Sequence, residues 1–68
     1  MHSLEFSALQ VGDRVSFTVL KTGMYGEGFV IEIMPWSVYP VKIEWVDQFG
    51  NWHIEQFNFE CFEEIEYT

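Results

Sequence analysis

The chain has 68 residues, with 11 Asp and Glu against three Lys and Arg, a formal net charge of -8 and 49% hydrophobic residues. That length excludes a second domain, and so apolar a composition excludes the disordered class that high charge alone would favour. A domain of this size buries only about 60% of its unfolded surface, so its seven Phe, three Trp and three Tyr must supply much of the core.

Residues 1–10 read as an N-terminal extension and residues 11–67 as a single domain. Cys61 is the only cysteine, which excludes a disulfide. With only His2, His53 and Cys61 as nitrogen and sulfur ligands, a four-ligand zinc site is not expected, and no other metal or cofactor is called for. The start, Met1 to Phe6, has no basic segment followed by an apolar run, and no stretch approaches the roughly 18 apolar residues of a membrane span. A cytoplasmic protein without a membrane partner is the expectation.

In chain order, alternation from Asp13 to Val19 puts Val15, Phe17 and Val19 on one face and Arg14, Ser16 and Thr18 on the other, a half-buried strand. Lys21 to Gly28 holds three glycines in eight residues and reads as a loop, with the second strand from Phe29 to Met34. Pro35 and Pro40 bound another loop. The third strand, Val41 to Val46, turns Val41, Ile43 and Trp45 inward. Asp47 to Asn51 turns the chain into a fourth strand, Trp52 to Phe57, and Phe59 to Tyr67 reads as a short turn and a last strand. The expected fold is all-β, about five short strands that bury their edges by closing into a small bent barrel.

Val11-Gly12-Asp13-Arg14-Val15, Gly26-Glu27-Gly28-Phe29-Val30, Val41-Lys42-Ile43-Glu44-Trp45 and Phe62-Glu63-Glu64-Ile65 occur in the order found in SH3-like barrels of the Tudor and KOW type. The chain most closely resembles the small C-terminal barrel of bacterial superfamily 1 repair helicases, although its first loop is several residues longer and the expectation is a barrel that stands alone. The resemblance implies a five-stranded SH3-like barrel that binds another macromolecule and performs no chemistry. For the helicase barrels the implied partner is the transcription machinery.

The residues themselves offer little catalysis. His53 and Glu55 share one face of a strand, and a solvated contact outweighs a His-carboxylate relay. Cys61 stands among Phe59, Phe62 and several glutamates, surroundings that leave a thiol inert. Gly23, Gly26 and Gly28 lack the Lys-Ser/Thr of a phosphate cradle. Glu60, Glu63, Glu64 and Glu66 form the densest acidic run, without the spacing of a calcium loop, and read as a solvated acidic face.

The core pattern is filled by Val15, Phe17, Val19, Val30 or Ile31, Ile33, Val41, Ile43, Ile54, Phe59, Phe62 and Ile65, which leaves Tyr25, Trp36, Tyr39 and Phe49 in loops. The resemblance implies that the first two loops lie side by side as a ligand groove. Tyr25, Trp36 and Tyr39, with Phe49 and the carboxylate of Glu27, are therefore the expected contact patch for a Lys- or Arg-bearing segment. Alternatively, Trp36 or Tyr39 plugs the barrel end. Arg14, Lys21 and Lys42 are too few to neutralise a phosphate backbone, so the expected partner is a basic protein surface, not nucleic acid. Two other readings remain open. Carboxylates about 6.7 Å apart along a strand would let the chain imitate nucleic acid and inhibit a host enzyme, as small acidic phage proteins do; direct KOW-like nucleic-acid binding is the third. The charge also favours a soluble monomer.

Overall fold

The computed structural model describes residues 5–68, so His2 and the first four residues of the expected extension lie outside the described residues. A 3-10 turn (Phe6–Ala8) leads into β1 (Arg14–Val19), β2 (Tyr25–Ile33), β3 (Val41–Asp47) and β4 (Trp52–Phe57). A second 3-10 turn (Phe59–Cys61) precedes β5 (Phe62–Tyr67). The five strands form one antiparallel sheet in the order β4-β3-β2-β1-β5. The all-β expectation is correct at this level. Barrel closure is not made by strand pairing: among the described residues the hydrogen-bonded sheet is open at β4 and β5. It curls instead, so that Phe57 at the end of β4 and Phe62 at the start of β5 bring their rings to 4.9 Å.

The period-2 pattern of the sequence is the pattern of burial. Val15, Phe17 and Val19 of β1 and Val41, Ile43 and Trp45 of β3 are buried, joined by Val30, Phe57, Phe62 and Leu9. Phe17 is the hub, with its ring 5.0 Å from Trp45, 5.6 Å from Phe57 and 4.9 Å from Phe62. Leu9, in the stretch read as an extension, belongs to this core, and Phe6 packs against it.

Several core assignments change. Ile54 lies opposite Glu44 on the outer face of the sheet and is exposed, because β4 turns His53 and Phe57 inward instead. Phe59 is exposed in the second 3-10 turn. Ile33 and Ile65 are half-buried against the core. Of Val30 and Ile31, Val30 is the buried one: Val30 pairs with Ile43 and Glu32 with Lys42, which leaves Ile31 as an unpaired bulge residue.

The largest correction is to β2, which begins at Tyr25 and not at Phe29. Gly26 and Gly28 are strand residues paired with Asp47 and Trp45 of β3 and with Phe17 and Val15 of β1. A Cβ on Gly26 would collide with the Val46 carbonyl oxygen, and one on Gly28 with the Glu44 carbonyl oxygen and Trp45. The glycines thus leave the space in which the β3 backbone and the Trp45 Cβ lie against β2. Between β3 and β4, Gly50 N–H donates to the Asp47 carbonyl at 3.0 Å and Gly50 has φ of 83°, the left-handed residue that a three-residue hairpin loop requires.

Candidate functional site

Strand register assembles an acidic bowl on the outer face. Ser16 lies between Glu27 of β2 and Glu66 of β5, and in the next row Thr18 lies between Tyr25 and Glu64. Strand spacing near 4.8 Å and the two-residue repeat set three carboxylates and a phenol around a floor of two small hydroxyl side chains. Gln48 closes the side nearest β3 and receives the Tyr25 N–H on its Oε1 at 3.1 Å. The concavity is about 470 Å³, and its lining contains no lysine or arginine. A guanidinium or ammonium group entering it would meet negative charge on two sides and an aromatic ring on a third, with Ser16 and Thr18 as acceptors beneath.

The bowl joins residues that sequence reasoning placed in separate groups: Tyr25 and Glu27 from the aromatic patch, Glu64 and Glu66 from the acidic face. Tyr25 and Glu27 stand on a strand, because β2 starts early. Glu63 is the extra residue of a bulge, since Val19 pairs with Phe62 and Thr18 with Glu64, and Glu60 is in the second 3-10 turn. Ser16 and Thr18 went unselected; the alternation of β1 marked their face but not that it lies under carboxylates from both neighbours.

The expected aromatic patch is divided. Phe49 is 74% exposed at the β3–β4 turn, next to Gln48. Trp36 and Tyr39 occupy the loop after Ile33, at the far end of β2 from Tyr25. That loop is tied to the second 3-10 turn, where Asn58 Nδ2 donates to the Val38 carbonyl at 3.3 Å, and Tyr39 N–H donates to Ser37 Oγ at 3.1 Å. Trp36 is 83% exposed, which overturns its reading as a plug, and Tyr39 is 48% exposed. Beside this loop, between Pro35, Pro40, Phe59 and the Phe6 turn, runs a second, mostly apolar groove of about 760 Å³.

A polar cluster around Asp47 and His53 was read only in part from the sequence. His53 Nε2–H donates to Asp47 Oδ2 at 2.8 Å, while Nδ1 lies 3.4 Å from Glu55. The imidazole stacks on Trp45 with centroids 4.4 Å apart and planes 20° from parallel. Asp47, buried, also accepts on Oδ1 from the Phe49 N–H at 2.8 Å and the Asn51 N–H at 3.0 Å. The His53 bond first, then these amides, hold the carboxyl below its ordinary 3.8 against the opposing effect of burial. Through Asp47 the cluster ties His53 to the backbone of the turn at Phe49 and Asn51, the form of a turn clamp. Cys61 is occupied elsewhere: its Sγ and Asn58 exchange bonds that cap the second 3-10 turn. Among the described residues no three His, Cys, Asp or Glu side chains are grouped to hold a metal ion, and no helix is long and apolar enough to cross a membrane.

No protein-family model, no curated protein and no solved structure gives a significant match to this chain.

Proposed function

We propose that the protein is a non-catalytic interaction module of SH3-like type that docks a Lys- or Arg-bearing segment of a larger protein in the bowl between β5, β1 and β2. The observation that carries this reading is the encirclement of Ser16 and Thr18 by Glu27, Glu64, Glu66 and Tyr25 in a concavity with no basic residue of its own. The five antiparallel strands in the order β4-β3-β2-β1-β5, the close approach of β3 to Gly26 and Gly28, and the order of sequence signals together support the SH3-like assignment. Partners in transcription, repair or replication are the class to which the resemblance leads, and a net charge of -8 favours a basic one.

The test is titration of the labelled protein with short Arg- and Lys-bearing peptides, read by amide chemical shifts. The reading expects shifts concentrated at Ser16, Thr18, Tyr25 and Glu27, and their loss in the Glu27→Lys/Glu66→Lys double variant with the circular dichroism unchanged. Shifts confined to the Trp36–Tyr39 loop would move the site to the other end of the molecule. Displacement of a captured host enzyme by DNA or RNA would favour nucleic-acid mimicry instead.

A further inference from the structure

We propose that the segment docked in the bowl is bipartite, with a bulky apolar side chain four residues from its Lys or Arg that lies on Trp52 of β4; this rests on the bowl as a cation site and extends that site across the sheet. The register draws a single line over the outer face. Glu66 of β5 pairs with Ser16 of β1, Ser16 with Glu27 of β2, Glu27 with Val46 of β3, and Val46 with Trp52 of β4, an unbroken row over all five strands. Paired residues of adjacent strands share a face, so these side chains stand side by side.

The row changes character along its length. From β5 to β2 it sets carboxylates on either side of a hydroxyl, whereas from β3 to β4 it carries a half-buried Val46 and an indole that is 66% exposed. The concavity crosses this change, since Val46 and Gln48 line it together with the glutamates. One strand beyond Val46, Trp52 stands at the uncharged rim, with Glu64 and Glu66 at the other. The lining supplies no cation, so the occupant brings it. A segment basic throughout leaves Val46 and the indole uncovered, and a wholly apolar one leaves the glutamates without a counter-charge. One residue of each kind covers both ends of the row.

Strand spacing sets the distance between the two anchors. Neighbouring strands lie about 4.8 Å apart, so Trp52 is three steps, about 14 Å along the sheet, from Ser16 on the floor of the bowl. An extended segment laid across the strands rises about 3.3 Å per residue and turns every second side chain to the same side. Four residues from the cation it has covered about 13 Å and faces the sheet again. Three residues from the cation it is short of the indole and points to solvent.

The experiment measures dissociation constants of short serine-rich peptides from the amide shifts of the labelled protein. Each peptide carries one Arg, and either no Leu or a Leu three or four positions from it, in either chain direction. Leu at four positions, in one chain direction or both, is expected to tighten binding to the native chain by about tenfold over the Leu-free peptide, and Leu at three positions to leave it unchanged. Trp52→Thr is expected to abolish the gain with the affinity for the Leu-free peptide and the circular dichroism unaltered; the spacing series needs only the native chain and decides the matter even if that variant unfolds. A Leu-free peptide that binds in the bowl with no gain from Leu, an equal gain at three and four positions, or a gain that survives in folded Trp52→Thr overturns the bipartite site and leaves the cation site standing. Binding that persists in the Glu27→Lys/Glu66→Lys chain, or no binding of any peptide, overturns both.

Discussion

Asp47 ends β3 and organises the turn that follows, accepting two backbone N–H groups and the His53 N–H on one buried carboxylate. A group whose pKa is depressed by folding stabilises the native state above its unfolded pKa, and that stability is lost as pH falls through the folded value. With Asp47 below its ordinary 3.8, its contribution is present at neutral pH and disappears in the acid range under about pH 4. Urea titrations at about pH 6 and about pH 2.5 should show a native chain that loses stability between the two, and an Asp47→Asn chain that is weaker at the higher pH but loses less between them. Equal losses in both chains would remove Asp47 from the acid limb. The sequence marked Asp47-Gln48-Phe49-Gly50-Asn51 as a turn and His53 with Glu55 as neighbours on one face. It did not mark the bond from Asp47 to His53, because an Asp that opens a turn in water and one buried beneath it have the same local signature.

Strands β1 and β3 were legible because each places apolar and polar residues by turns between clear breakers; β4 was legible as a strand but not in its facing, since Trp52 and Ile54 alternate with polar residues yet lie outward while Phe57 is buried. β2 was not, because glycine counts as a loop residue in any propensity argument, and its value here is visible only from β3: Gly28 leaves room for the Trp45 backbone and side chain opposite. Gly28→Ala is therefore expected to destabilise the fold by about 1–3 kcal/mol through overpacking, read as a lower denaturation midpoint with an unchanged slope. Wild-type stability in that variant would refute close packing as the reason for the glycine. A second element-scale device is Asn58, whose side chain accepts the Glu60 N–H at 3.0 Å and donates to Val38 across the molecule. Asn58→Ala is expected to cost about 1 kcal/mol as a lost cap and to raise amide exchange in the Trp36–Tyr39 loop. Protection there would be unaltered if Asn58 did not tie the two segments together.

For the molecule as a whole, the all-β class was readable in sequence and so was the excess of acidic residues, while the grouping of residues in the bowl was not. Tyr25 and Glu27 are separated by nearly 40 residues from Glu64 and Glu66, and only the pairing of β1 with both β2 and β5 makes them neighbours. Register, which no local pattern states, converts two modest features into one concave surface. Charge then acts at two ranges. In the proposed function the bowl would hold a cation against three carboxylates and a ring; beyond it, the excess of 11 acidic over three basic side chains would draw a basic partner toward any face before the contact forms. The two ranges separate kinetically, because long-range attraction is screened over about 8 Å at physiological ionic strength whereas contact interactions are screened less. Raising salt should therefore slow association with an Arg-bearing peptide by about tenfold or more and alter dissociation far less. Glu27→Gln, which removes a contact and only one unit of the total charge, should do the reverse, speeding dissociation with little effect on the association rate. Stopped-flow traces on the two chains at low and high salt measure both rates, and a Glu27→Gln chain that differs only in association would place the cation outside the bowl.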